Sequence, residues 1–112
     1  MIKLKKRKET IAIVIYYDIF HGGITGLMNK YRKEGYFCPP WHYFIDADGK
    51  LHGGRAVDEV AGSEYPNNEE IIAIIVNAPD DISISPSQAE ALDSLFLKLP
   101  AWERVDINVN TN

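Results

Sequence analysis

The chain has 112 residues, of which 46% are apolar and 25% are charged. This composition is typical of a globular protein and excludes wholesale disorder, and the length suits one domain covering residues 1–112. No stretch approaches the roughly 18 to 20 continuous apolar residues that a membrane span requires. The formal charge is −4, but residues 1–8 hold five of the 12 basic side chains and no acid, so residues 9–112 carry seven basic against 16 acidic groups, a balance of −9. A body this acidic argues against nucleic-acid binding.

The first half of the chain predicts a strand, a helix and a hairpin. Thr10–Tyr17 is a continuous apolar, β-branched and aromatic run, which indicates a strand buried on both faces. Apolar residues at helical spacing follow this strand and predict a helix, and Gly35 stands where such a helix commonly ends. The apolar residues of this helix are Ile24, Leu27, Met28 and Tyr31. Trp41–Asp46 and Lys50–Gly53 are predicted to pair as a hairpin, because Asp48-Gly49 between them supplies the positive φ of a tight turn.

The second half predicts a second buried strand, a capped helix and a final strand. Residues 55–69 form a polar excursion, and Ile71–Val76 is a second apolar run typical of a strand buried on both faces. Ser85–Gln88 (SPSQ) predicts a helix start with a Ser N-cap, Pro at the first position and a capping box. The apolar stripe of this helix is Ala89, Leu92, Leu95, Phe96 and Leu99. Apolar and polar residues alternate from Val105 to Asn110, which predicts a half-exposed last strand. Two fully buried strands among helices need cover on both sheet faces, so we predict an α/β fold with a mixed sheet.

Few residues offer a recognisable catalytic or metal site. The histidines His21, His42 and His52 have no fixed spacing to other ligands, whereas protein zinc sites need three or four converging ligands. His42 and His52 lie on the two predicted hairpin strands and would face one another only in a suitable register. The single Cys38 excludes an internal disulfide and a thiolate cluster. Residue types alone therefore predict no catalytic centre, no metal and no cofactor, and the aromatic residues of the first half would either line a groove or pack in the core.

The order of these segments resembles a known fold. The similar stretches are KLKKRKETIAIVIYY, GLMNKYRKEGY, WHYFIDADGKLHGGR, AVDEVAGSE, NNEEIIAIIV and ISPSQAEALDSLFLKL. They are similar to the zinc-dependent N-acetylmuramoyl-L-alanine amidases of type 2, whose fold is shared by peptidoglycan recognition proteins and by the amidase-type lysozymes of small phages. The resemblance to the phage proteins is the strongest. It covers about residues 3–99 and implies a mixed central sheet flanked by helices.

The resemblance also implies which positions would carry the zinc chemistry, and this sequence departs from them. The family's first zinc-binding histidine falls on Tyr16, or on Tyr17 if the register slips by one. The second falls within Val105–Asn110, where no histidine occurs, and the third ligand and a catalytic lysine have no counterpart before Asn112. The family's active-site tyrosine falls on Trp41, which has no phenol. Zinc polarises the amide carbonyl and supplies a hydroxide, a contribution of several kcal/mol, so we expect the fold to persist without the hydrolysis.

Two functions follow as expectations. In the first, the protein is an inactive amidase-like module that binds or inhibits a host or phage macromolecule, in the host cytoplasm if it is phage-encoded. Its contact surfaces would be the basic arm Lys3–Lys8 and the loops at residues 55–69 and 77–82. In the second, it recognises a peptidoglycan fragment, or retains some amidase activity. The cleft residues that the resemblance then implies are Tyr16, Trp41, Arg55 and Glu64.

Overall fold

The computed structural model describes residues 5–6, 10, 12–19, 22–36, 38–62, 65–99 and 103–109. In chain order their elements are β1 (Ala12–Asp18), α1 (Gly23–Lys33), β2 (Tyr43–Ile45), β3 (Leu51–Gly53), β4 (Ile71–Asn77), α2 (Pro86–Lys98) and β5 (Glu103–Asn108). The strands form one sheet in the order β3-β2-β4-β1-β5. β3 is antiparallel to β2, and the other three pairings are parallel. The predicted α/β fold with a mixed sheet is therefore confirmed.

The two central strands, β1 and β4, are buried along almost their whole length, as their apolar sequences predict. Alternate residues point to opposite faces of the sheet, so each strand contributes to two separate cores. The core on the α1 side includes Ala12, Val14, Leu27, Tyr31, Phe44, Ala73 and Ile75. The core on the α2 side includes Ile13, Ile15, Tyr17, Ile72, Ile74, Leu92 and Leu95. Burial of both faces explains why these strands show continuous apolar runs rather than alternation.

Both helices begin or end where the sequence predicts. α2 is capped by Ser85, whose Oγ accepts from the Gln88 backbone N–H at 3.1 Å, while Gln88 Oε1 accepts from the Ser85 N–H at 3.0 Å. This arrangement is the predicted capping box. α1 is followed by Gly35 at φ +96°, a left-handed conformation that glycine adopts without steric cost. No helix in the described part of the chain has the length and apolar character needed to cross a membrane.

The start of α2 is fastened to the β2–β3 hairpin and to the end of β4. The buried Gln88 donates through Nε2 to the carbonyls of Asp46 at 3.0 Å and Asn77 at 2.8 Å. Gly49 in the hairpin turn has φ +84°, and a Cβ there would lie 2.6 Å from Cβ of Ser87. The predicted turn glycine is therefore required both by its backbone conformation and by this close approach.

The hairpin is shorter than the sequence predicts. Trp41 and His42 precede β2 instead of lying within it, and the register places His52 opposite Phe44. The Gly54 N–H donates to the carbonyl of His42 at 2.8 Å. The two histidines therefore do not face one another across the hairpin, a question that the sequence pattern left open because it does not specify strand register.

Candidate functional site

A cleft opens where the carboxyl ends of the parallel strands meet. β1, β4 and β5 run in the same direction, so their last residues lie at one edge of the sheet, the edge at which parallel α/β sheets commonly bind ligands. On the α1 side of this edge is a cavity of about 240 Å³, which we call the cleft. It is lined by Tyr16, Asp18, Lys30, Tyr31, Tyr65, Pro66, Ile75 and Val109.

The described lining of the cleft carries three tyrosine rings, one acidic side chain and one basic side chain. The rings of Tyr16 and Tyr65 pack with centroids 5.0 Å apart and planes tilted by 38°. The ammonium of Lys30 lies 5.4 Å from the ring centroid of Tyr31, which is a cation–π distance. Asp18 accepts the Ile19 N–H at 2.8 Å through Oδ1. Such a cleft can stack a flat group and pair with a ligand that carries opposite charges at its two ends.

A second cavity, of about 250 Å³, continues from the cleft along β1 and β5, and we call it the β5 groove. It shares Tyr16 and Pro66 with the cleft. Its other lining residues are Ala12, Val14, Asn67, Glu70, Ile71, Glu103, Val105 and Ile107. The floor is aliphatic, and the end away from the cleft carries two carboxylates.

The chain is similar in sequence to two phage endolysins. The endolysin of Escherichia phage T7 is 25% identical over 112 residues, covering 89% of this chain and 73% of the endolysin. The endolysin of Klebsiella phage KP32 is 23% identical over 108 residues, covering 88% and 72%. No family model matches the chain.

Two solved structures have the same architecture. The N-acetylmuramoyl-L-alanine amidase LysC from Clostridium intestinale superposes with a TM-score of 0.67 at 15% identity, covering 92% of this chain and 78% of its own. The peptidoglycan recognition protein PGRP-SA of Apis mellifera gives a TM-score of 0.66 at 13% identity, covering 87% and 68%. The chain has the amidase/peptidoglycan-recognition fold. The resemblance inferred from the sequence is confirmed at this level.

Of the four cleft residues expected from the resemblance, Tyr16 lines the cleft. Trp41 is fully buried and lines neither cavity. Its ring packs against Gly54, where a Cβ would come within 2.7 Å of Cε3, and its Nε1–H has no hydrogen-bond partner among the described residues. Arg55 donates from Nε to the carbonyl of Pro39 at 2.8 Å and from Nη1 to the carbonyl of Val60 at 2.9 Å. Glu64, the fourth residue, lies outside the described residues.

His42 is a structural residue of the amidase fold in this chain. Its side chain is fully buried, Nδ1 accepts the Ala73 N–H at 3.0 Å, and Nε2 lies 2.7 Å from the carbonyl of Glu59. Because a carbonyl only accepts, Nε2 carries the proton and the ring is the neutral Nε2–H tautomer. Both nitrogens are engaged, so neither is available to bind a metal or a substrate in this conformation.

His52 is tied into the hairpin. Its Nε2 lies 3.0 Å from Oδ2 of Asp46, and its ring stacks on Phe44 with centroids 5.7 Å apart. Partial burial opposes ionisation of Asp46, but hydrogen bonds from His52 and from the N–H groups of Lys50 and Asp48 outweigh it and lower the pKa of Asp46. His21, the third histidine, lies outside the described residues.

The donor set that the described cleft residues offer does not fit the zinc ion that the fold implies. Protein zinc ligands are thiolates, imidazoles and carboxylates, whereas the described cleft offers phenols, the single carboxylate of Asp18 and the ammonium of Lys30. Across residues 5–109, leaving out the positions that the structure does not describe, no three His, Cys, Asp or Glu side chains converge as a ligand set. We therefore derive no chemical step through zinc.

Part of the basic arm lies on the protein body. Lys5 forms an ion pair with Glu69, and the Lys6 ammonium lies 2.9 Å from Oδ2 of Asp58. The backbone joins as well, because the Val60 N–H donates to the carbonyl of Lys5 at 2.9 Å. The arm therefore contacts the loop at residues 55–69, which the sequence analysis treated as a separate contact surface.

Lys30, Tyr31 and Tyr65 were not predicted to form a site. Tyr31 was predicted only as an apolar residue of the first helix, and Lys30 was given no role. Tyr65 belongs to the polar excursion, whose path depends on tertiary contacts. The Tyr-Pro pair at Tyr65-Pro66 was the one local signal, because an aromatic residue in a polar loop often packs against another element.

Proposed function

We propose that this is an amidase-fold protein without amidase activity, which acts in the cytoplasm by binding and inhibiting another protein. Tyr16 carries this proposal. It stands at the end of β1, where the resemblance places the first zinc ligand, and its ring packs against Tyr65 at 5.0 Å. A phenol is protonated at neutral pH and is not among the usual zinc ligands.

The neighbouring residues support the same conclusion. The resemblance places an active-site phenol at Trp41, whose indole is buried and lines neither cavity. The ammonium of Lys30 also lines the cleft, and a positive charge there opposes binding of a divalent cation. Amide hydrolysis needs a polarised carbonyl and an activated water, and a bound metal supplies several kcal/mol of that stabilisation. None of the described cleft residues replaces it.

A second function, recognition of a peptidoglycan fragment without cleavage, is favoured by one observation. The cleft at the strand ends is aromatic and carries Asp18 and Lys30 as an acid and a base, which suits a short peptide with charged groups. The relatives are named endolysins, an amidase and a peptidoglycan recognition protein. Two of the contacts expected for this function are used otherwise, which argues against it. Trp41 is fully buried, and Arg55 donates to backbone carbonyls of the same chain.

The absence of hydrolysis is tested on the purified protein. We expect less than stoichiometric zinc by metal analysis after incubation with zinc and dialysis, and no release of stem peptide from peptidoglycan beside an active amidase as positive control. Stoichiometric zinc together with peptide release would refute the proposal.

The two binding functions are separated by NMR titration and by affinity capture. We expect soluble muropeptide to leave the amide spectrum unchanged and a defined cytoplasmic protein to form a complex with the purified chain. Lys30→Ala and Lys33→Ala make a matched pair on α1, because only Lys30 lines the cleft. Muropeptide shifts at the cleft that disappear in Lys30→Ala but persist in Lys33→Ala would replace our proposal with peptidoglycan recognition.

A further inference from the structure

β5 combines an open edge with an open apolar face. β1 pairs with one side of it, and no strand among the described residues pairs with the other. The residues of β5 that face the groove are Glu103, Val105 and Ile107. Ile107 is 36% exposed, and Val109, just beyond the strand, is 48% exposed. An unpaired strand edge presents a row of backbone donors and acceptors that another chain can pair with.

The backbone hydrogen bonds show which groups are directed outward. The Val109 N–H donates to the carbonyl of Tyr17 at 2.9 Å, so the N–H of this residue points toward β1. Backbone direction alternates along a strand, and the N–H and C=O groups of Arg104 and Asp106 therefore point to the open side. A six-residue strand of this kind offers roughly 20 Å of edge.

The opposite face of β5 holds the strand in place. The Tyr17 hydroxyl donates to Oδ1 of Asp106 at 2.6 Å, and Arg104 donates to the Tyr17 hydroxyl at 3.2 Å and to both carboxylate oxygens of Asp106. The Arg104 guanidinium also lies 5.0 Å from the ring centroid of Phe96 on α2. An edge fixed in this way is ordered before a partner arrives, which lowers the entropic cost of binding.

The charges of the β5 groove specify the partner. Glu70 and Glu103 line its end, and neither forms an ion pair with a described residue, whereas the neighbouring Glu69 is paired with Lys5. Among the groove residues that the structure describes, none has a basic side chain. A complementary segment therefore carries apolar side chains over the aliphatic floor and a lysine or arginine beside the two carboxylates.

We propose that the open edge of β5 and the β5 groove form a docking site for an extended segment of a protein partner. The segment adds a sixth strand to the sheet, with alternate apolar residues in the groove and a basic residue at the Glu70–Glu103 end. This inference rests on the proposed function, because it names the surface and the type of segment through which the protein binds its partner.

The probe is a random peptide library displayed for selection on the purified full chain. We expect enriched peptides that alternate apolar and polar residues and contain lysine or arginine. A synthetic consensus peptide should bind Ile107→Lys about tenfold more weakly than the parent chain, because the substitution puts a charge on the groove floor. Glu103→Lys should weaken binding of the same peptide and reduce its salt dependence. Leu97→Lys, on the exposed face of α2, is the matched control and should bind like the parent.

The position of the bound peptide is mapped by amide NMR shifts. Shifts at residues 103–108 support the inference. Failure to enrich any peptide, equal binding by Ile107→Lys, or shifts confined to the cleft residues would overturn it.

Failure of the docking site is distinguishable from failure of the proposed function. A captured partner that binds Ile107→Lys as tightly as the parent removes the docking site and leaves protein binding in place. Zinc-dependent hydrolysis removes the proposed function, and it is measured without the peptide.

Discussion

Replacing His42 tests the most buried polar link of the structure. The imidazole connects three parts of the chain: it precedes β2, it accepts from Ala73 on β4, and it contacts the carbonyl of Glu59 in the following loop. Tyr43 pairs with Ile74, so the His42 ring continues the β2–β4 ladder by one further hydrogen bond. His42→Phe keeps a planar ring, although a larger one, but removes both interactions.

The expected loss of stability follows from the two groups left behind. A buried N–H or C=O that loses its partner costs about 1–3 kcal/mol, and His42→Phe leaves one of each, at Ala73 and Glu59. We therefore expect the free energy of unfolding to fall by roughly 2–6 kcal/mol. A small domain has about 5–15 kcal/mol in total, so the variant should retain the fold with a much lower denaturation midpoint.

Urea denaturation followed by circular dichroism measures the loss. His42→Asn keeps an acceptor toward Ala73 and should recover part of it, and His52→Phe, at a partly exposed hairpin position, should cost less than His42→Phe. Long-range ¹H–¹⁵N spectra of the parent should show a protonated Nε2 and an unprotonated Nδ1 at His42. A loss below about 1 kcal/mol for His42→Phe, or the opposite tautomer, would refute the assignment of His42 as a structural link.

Three further substitutions test other contacts. Burial and the hydrogen bond to Asp106 raise the pKa of Tyr17. The stabilising effect of the neutral phenol is therefore present at neutral pH and is lost as pH rises above about 10. Tyr17→Phe should show a smaller loss of unfolding free energy between pH 9 and 11 than the parent chain. The pKa of Asp46 is lowered, so the stability that its carboxylate contributes is present above about pH 4 and is lost as pH falls further. Asp46→Asn should be less stable than the parent at pH 7, and its free energy of unfolding should change less in acid. Urea denaturation at several pH values would contradict this if the two stability curves ran parallel. Gln88→Met leaves the carbonyls of Asp46 and Asn77 without their donor and should lower the free energy of unfolding by about 2–6 kcal/mol, which a thermal unfolding scan would show as a lower midpoint. An unchanged midpoint would show that water replaces the amide.

The fold was predictable where the signal is local. The apolar runs that became β1 and β4, the capping box at Ser85 and the turn at Gly49 each depend on neighbouring residues only, and each is confirmed. The hairpin was less predictable, because its strands begin after His42, whose side chain replaces a backbone hydrogen bond in the ladder. Whether a side chain takes the place of a backbone acceptor in this way depends on the position of β4, and the sequence near His42 gives no sign of it.

The candidate site was predictable at one residue. The resemblance implies a cleft position for Tyr16, and the residue lies near the end of β1, at the edge where parallel sheets commonly bind ligands. Arg55 and Trp41 could not be placed in this way. The partners of Arg55 are backbone carbonyls at Pro39 and Val60, and the burial of Trp41 depends on the absence of a side chain at Gly54.

The structure places some of the residues that maintain the fold away from the cleft and others on its wall. The capping box and the His42 link lie outside the cleft, whereas Tyr31, Tyr65 and Ile75 belong both to the cleft and to the α1-side core. Tyr16 packs against that core and is only partly buried, so its replacement should cost less stability than replacement of a fully buried residue of β1. The same fold can exchange a chemical site for a binding surface without loss of its core. On this argument, Tyr16→Ala should weaken binding at the β5 groove, which Tyr16 also lines, and should lower the free energy of unfolding less than His42→Phe.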